Sequence, residues 1–226
     1  MLASIAVTWV SSVAWVIPVC VLLERWWPRH RAPIEWQRIA LAAALFAVNL
    51  VVVRTISRTP PSNEIARIVA AWVLAELFGY ALHRAMHRVP WLWRIHRMHH
   101  ARRPLAWHQS WWIHPLDAAL FALVTTAACQ LAGAQVVAAL PVLAAKKLLG
   151  LLQHANIRWP AGVLDHVLVT PTVHHRHHHE DLPPANFAGT FAIVDRVFGT
   201  WARPLPRRGR DDRAARPSYP SGDGSS

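Results

Sequence analysis

Five of the six residues from 174 to 179 are histidine, and a second H-x-x-H-H box, His96-Arg97-Met98-His99-His100, lies upstream. Each box sets imidazoles at i, i+3 and i+4, positions that share one face of a helix. Neutral imidazole is the commonest metal ligand. Two such triplets, with His83 and His87 as a further i, i+4 pair, exceed the needs of one ion: structural zinc takes about four protein ligands, and catalytic zinc about three plus water. The fold must therefore bring several histidine-bearing helices to one place, and the donor set predicts two metal ions. A purification tag is terminal and unbroken, whereas this run is internal, is interrupted by Arg176 and has an upstream counterpart.

Much of the rest of the chain is apolar. The chain is 54% hydrophobic and only 16% charged, a balance that suits a membrane protein better than a water-soluble domain. Its formal charge of +12 comes from 22 arginines and 2 lysines against 12 acids. Basic charge points either to nucleic acid or to an anionic membrane; the long apolar runs select the membrane, and no nucleic-acid partner is expected. Cys20 and Cys129 sit inside apolar stretches without a C-x-x-C pattern and read as small buried hydrophobes.

Residues 2–23 are uncharged and long enough to span a bilayer. A cleaved signal peptide fits poorly, because no basic region precedes the run and Trp9 and Trp15 interrupt it. Further apolar runs cover 39–53 and roughly 65–82, the latter leading into His83. The stretch Ala118–Ala145 exceeds one typical span, and Gly133 near its middle predicts a tight hairpin, out along 116–131 and back along 135–152 to His154. This pattern predicts an all-α integral-membrane fold of about four transmembrane helices with a histidine-rich helical cap.

Residues 1–205 form the catalytic unit in this reading. The Arg-, Pro- and Ser-rich tail 206–226 lacks the apolar content to fold and is expected to be disordered. The arginine-rich segments 25–38, 84–103 and those after His154 fall on one side, which the positive-inside rule makes cytoplasmic. The expected location is a bacterial inner membrane, crossed several times, with the histidine site facing the cytoplasm.

Glu76, Tyr80, His83 and His87 step by helical intervals and form one stripe. An ionisable residue in a span is costly and marks function by default; Glu76 is a candidate to orient a ligand histidine, with an interhelical hydrogen bond as the alternative. His154, at the end of the returning hairpin leg, faces the boxes. His114 is read as either a pocket residue or packing. His30 and His166 have no partners by spacing and are read as structural, and Lys146 and Lys147 as snorkelling. Two registers of the last box satisfy the spacing: His174, His177 and His178, or His175, His178 and His179, which mirrors the H-R-x-H-H form of the first box. The metal-ligand candidates are therefore His83, His87, His96, His99, His100, His154, His174, His175, His177, His178 and His179.

The boxes occur with HPLD (114–117), HANI (154–157), TPTVHHRHHH (170–179) and NFAGTFAIVDRVFGT (186–200). In this order and spacing the chain resembles the fatty acid hydroxylase and sterol desaturase superfamily of integral-membrane non-haem di-iron enzymes, over residues ~80–200. The resemblance implies two iron ions, O2 as co-substrate, and hydroxylation or desaturation of a lipid C–H bond. Counted from Pro171, it selects His174, His177 and His178. The sequence departs from the family pattern at Val194, where an aromatic is common, and in the short segment before Asn186. No G-x-G-x-x-G fingerprint or room for a haem or flavin domain is present, so a separate electron-transfer protein or reductase is implied. Sterols, fatty acyl chains, carotenoids and related membrane lipids all fit as substrate. The alternative is a membrane metal-binding or transport protein without oxygenase activity, which would place its ligands near the bilayer midplane.

Overall fold

A long apolar helix that ends in histidine organises the chain. The computed structural model describes residues 18–30, 36, 37, 40, 64–101, 104–134, 140–160 and 162–204. The apolar run 39–53, most of the run 2–23 and the tail 206–226 lie outside the described residues. Helix α1 spans Glu64–Met86, α2 Pro90–His100, α3 Pro115–Leu131, α4 Leu140–His154, α5 Pro171–His177 and α6 Ala192–Val197. Single 3-10 turns cover Trp107–Trp111 and Val163–His166. Among the described residues there is no β-strand, only an isolated bridge between Pro28 and Ile157, so the all-α expectation holds.

Residues Ile65–Met86 are long and apolar enough to cross a membrane, with a mean hydropathy of 1.7 and 22% of the window buried inside the protein. Among the described residues no other helix reaches this length; α3, with 17 residues, is shorter than the ~20 that a span requires. Helix α3 ends at a turn around Gly133, as expected, while residues 135–139 of the expected return leg lie outside the described residues. Gly133 adopts φ 64°, the left-handed conformation that ends a helix at little cost only for glycine, and Arg67 of α1 donates to its carbonyl at 3.3 Å. Small residues let α1 and α3 approach: Ala71, Cys129 and Ala134 form one buried cluster.

Proline punctuates the cap. Pro90, Pro115 and Pro171 each occupy the first turn of a helix, where a missing N–H costs nothing and a fixed φ favours the helix. His114 caps α3 by accepting the Leu116 N–H at 3.1 Å, and Thr170 caps α5 by accepting the Val173 N–H at 3.4 Å. A second cluster, Cys20, Trp107, Trp111, Leu151, Ala155 and Ile157, seats α4 against the first 3-10 turn and the helical residues 18–26. Glu24 ties it together, accepting N–H groups from Trp107 at 2.7 Å and Asn156 at 2.8 Å.

The segment after α5 is held by three polar side chains. Asn186 is fully buried at φ 60°. Its Oδ1 accepts the Ala202 N–H at 2.7 Å, its Nδ2 donates to the Ala202 carbonyl at 3.0 Å, and its own N–H donates to the Thr200 carbonyl at 2.9 Å. The Asp195 carboxylate accepts N–H groups from Phe187 at 2.7 Å and Ala188 at 2.9 Å and the Thr200 hydroxyl at 2.7 Å. The left-handed conformation costs a residue bearing a Cβ roughly 1–2 kcal/mol, and asparagine tolerates it best. Replacing Asn186 by Ala is expected to destabilise the fold by about 2–4 kcal/mol, from orphaned backbone groups and backbone strain together. Asn186→Gly relieves the strain alone and should fall between wild type and Ala in thermal denaturation followed by tryptophan fluorescence; a Gly variant no more stable than the Ala variant would contradict this account.

Candidate metal centre

At the end of α1 nine histidines collapse into two adjacent groups. The first joins His83 and His87 from the end of α1 to His96 and His100 of α2 and His177 of α5; the second joins His99 of α2, His154 of α4 and His174 and His178 of α5 and its cap. Within each group the ligand-capable nitrogens all lie within 4.8 Å of one another. Donors on opposite sides of an ion at about 2.1 Å would be about 4.2 Å apart, so each group is close to the size of one coordination sphere. The groups share a wall: the His100 and His178 rings stack at 4.2 Å.

The rear of the imidazoles fixes which nitrogen faces inward. Nδ1–H of His83 donates to the Phe187 carbonyl at 2.8 Å, and Nδ1–H of His177 to the Ala185 carbonyl at 2.8 Å. Nδ1 of His96 meets Asp117 Oδ2 at 2.8 Å, and Nδ1–H of His154 donates to the Gly150 carbonyl at 2.7 Å. Each bond leaves the Nε2 lone pair directed at the other histidines, the back-side arrangement characteristic of metal-ligating histidine. The consequence is visible in the second group, where Nε2 atoms meet at 3.0 Å in the pairs His99–His154, His154–His174 and His174–His178. In the first group, Nε2 of His83, His87 and His177 is buried with no hydrogen-bond partner among the described residues. Buried polar atoms are nearly always satisfied; a cation is the partner that several converging lone pairs can share. Burial, and then the neighbouring imidazoles, hold His99, His100, His174, His177 and His178 well below the ordinary imidazole range. They are neutral at pH 7, the form that binds a metal.

Of the eleven histidines expected from the sequence, nine lie in these groups. His175 instead donates Nε2–H to the Ala155 carbonyl at 3.1 Å, and His179 faces Asp181 at 3.8 Å. The structure thus brings together the register of the last box that counts from Pro171. His154 joins the second group, whereas His114 is a helix cap. His166 accepts from Arg196 at 2.6 Å and stacks on Trp201, and His30 pairs through its backbone with the Asn156 side chain.

The two lysines depart from expectation, and Glu76 takes the second of its two expected roles. Glu76 touches no histidine of either group: it pairs with Lys146 at 2.6 Å and accepts the N–H groups of Thr190 and Phe191, which is the interhelical alternative. Lys146 and Lys147 do not snorkel; Lys147 donates to the Ser110 carbonyl at 3.2 Å and lies 3.7 Å above the Trp111 ring. The carboxylate that does orient a histidine is Asp117, 1% exposed. Its sequence signal is a lone acid in the first turn of a long apolar helix, inside the HPLD motif.

The fatty acid hydroxylase family matches residues 68–200, a stretch that begins in α1 and ends after α6 and so includes every histidine of both groups. The chain belongs to the fatty acid hydroxylase family. Ornithine lipid hydroxylase OlsE of Rhizobium tropici is 30% identical over 148 residues, which are 65% of this chain and 44% of that protein. The chain therefore spans less than half the length of this curated relative. No solved structure matches.

The two registers of the last box give opposite expectations for metal retention. His174→Ala and His177→Ala should each lower the metal bound per chain, measured by elemental analysis after gel filtration, while His175→Ala and His179→Ala should retain it. Asp117→Asn, which keeps shape but loses the charge behind His96, should weaken metal affinity by about 10–100-fold. Full retention in His177→Ala with loss in His175→Ala would reverse the assignment.

Proposed function

We propose that this chain is an O2-dependent di-iron hydroxylase acting on a C–H bond of a membrane lipid. The observation that carries the reading is the pair of adjacent histidine groups, with five and four members, at one end of an apolar helix long enough to cross a membrane. An all-imidazole donor set without thiolates suits iron, copper, nickel or zinc. The count for two ions, together with membership of a hydroxylase family, supports a pair of irons.

His83, His87, His96, His100 and His177 would hold one iron, and His99, His154, His174 and His178 the other. When bound, the irons would supply the O2-dependent oxidation of an unactivated C–H bond, with electrons from a separate electron-transfer protein or reductase. The protein's own contribution is placement and dryness. Asp117 and the carbonyls of Ala185, Phe187 and Gly150 hold the imidazoles in one tautomer. The Phe187 ring lies 5.3–5.9 Å from those of His83, His87 and His177 and walls the first group with apolar surface. Hydroxylation is favoured over desaturation by the family and by the named activity of the relative, and an ornithine-lipid-like aminolipid is the first substrate to try. The arginine distribution supports a multi-pass protein of a bacterial inner membrane with the site on the cytoplasmic side.

Protein purified anaerobically should carry about two irons per chain, the number its donor set serves. Lipid extracts from cells expressing the chain should contain a species heavier by one oxygen atom, absent from cells expressing His99→Ala. One zinc and no iron in the intact protein would overturn the di-iron reading, and an unchanged lipid profile with iron loaded would overturn the proposed reaction on cellular lipids.

A further inference from the structure

The region after α4 is polar in sequence and is expected above the membrane, yet part of it lies beside α1. Phe191 packs on Trp72 with ring centroids 5.6 Å apart, and Phe198 stacks on Tyr80 at 4.9 Å. Measured from the α1 terminus at Met86, Tyr80 is about 9 Å and Trp72 about 21 Å along the helix axis. If the histidine end of α1 marks one surface of a hydrocarbon layer about 30 Å thick, both levels lie within that layer. The outward face of this region is largely aliphatic and aromatic, with Arg196 and His166 paired on it at 2.6 Å. Ile193, Val197 and Phe198 are 53%, 75% and 49% exposed, and the adjoining 3-10 turn adds Val163, Leu164 and Val167 at 82%, 54% and 47%. A contiguous patch of this kind is unusual on a surface that meets water.

Many of the polar backbone groups in the same region find partners inside the protein. Non-helical backbone persists at membrane depth only where protein groups take its hydrogen bonds. Glu76 accepts the N–H groups of Thr190 and Phe191, and Gln153 donates to the Gly189 carbonyl at 2.9 Å. The Val169 N–H donates to the Thr190 carbonyl at 2.9 Å, and Asp195 takes the N–H groups of Phe187 and Ala188. Lys146 neutralises Glu76. The buried ion pair, which the histidine groups do not use, thereby acquires a role: it seats a loop inside a span, where an unpaired charge would be costly.

We propose that residues 163–167 and 189–198 form a re-entrant membrane element, dipping beside α1 and presenting Val163, Leu164, Val167, Ile193, Val197 and Phe198 to the acyl chains of the bilayer. The proposal rests on the reading of α1 as a membrane span. The element continues the exposed aliphatic side of that helix, where Val69 and Val73 are 55% and 52% exposed. Its inner end carries Phe187 against the first histidine group, so lipid-facing surface and metal centre are joined by one short loop.

The test uses the full chain reconstituted in phosphatidylcholine vesicles. Single cysteines at Val197, Ile193, Val73 and Asp181 are labelled with a bimane fluorophore, with unsubstituted protein as the blank for Cys20 and Cys129. Iron content and circular dichroism confirm folding of each variant, and Ile193→Cys replaces Val197→Cys should the latter not fold. Labels at Val197 or Ile193 should be quenched about threefold more by doxyl-labelled lipid than by aqueous iodide, as at Val73, while Asp181 shows the reverse. Iodide quenching at Val197 and Ile193 with lipid quenching at Val73 would overturn the re-entrant element and leave the span intact. Shielding of both positions from both quenchers would mean that a protein partner covers the patch, and would also overturn it. Iodide quenching at Val73 as well would overturn the membrane reading of α1 and the proposal with it.

Discussion

Nine imidazoles packed into a largely buried interior impose a demand that the rest of the structure serves. Each ring has one N–H and one lone pair, and burial forbids leaving either without a partner. The protein answers on the rear side, giving Nδ1–H of His83, His177 and His154 to backbone carbonyls and setting Asp117 behind His96. That choice forces the Nε2 lone pairs inward, toward one another. In the first group the inward Nε2 atoms of His83 and His177 find no hydrogen-bond partner among the described residues, and in the second group Nε2 atoms lie 3.0 Å apart. A cation is the partner that such converging nitrogens can share.

The helical period distributes these donors between two centres. In the first box, i and i+4, His96 and His100, face the first group, while i+3, His99, faces the second. In the last box the division is exchanged: His174 and His178 face the second group and His177 the first. Each box straddles both centres, because residues three and four apart lie on the two flanks of one stripe rather than at one point on it. His83 and His87 then complete one side and His154 the other. Two short helices crossing at the end of α1 and α4 suffice to build a paired site, and loss of either box would damage both halves.

This division explains what was legible beforehand and what was not. The boxes, the pair His83–His87, the turn at Gly133 and the approach of His154 follow from periodicity and from one helix-breaking glycine. The register of the last box does not follow from spacing, since both triplets obey it; it is fixed by Thr170 and Pro171, which set the phase of α5 by capping its first turn. Asp117 escaped notice because a single carboxylate at a helix start also reads as an ordinary complement to the helix dipole. The role of Glu76 depends on backbone N–H groups 114 and 115 residues away, a relation that no local pattern encodes. The stretch 186–200 is too short and too polar to register as a membrane segment by hydropathy, because its polar side chains are spent on its own backbone.

The same stretch links the two faces of the protein. Asn186 holds the backbone of Ala202, Asp195 that of Phe187 and Ala188, and Thr200 donates to the Asp195 carboxylate; the carbonyls this loop presents, at Ala185 and Phe187, are the ones that orient His177 and His83. On the opposite side the loop runs into α6, whose outer residues face away from the protein. Rigidity is therefore concentrated between the metal centre and the surface where an acyl chain would arrive. A catalytic group must be held to within fractions of an ångström of a productive position, and a lipid substrate offers few polar handles for positioning. A frame that holds His83, His177 and the Phe187 wall through one loop meets both requirements: movement of the wall would move the two imidazoles with it.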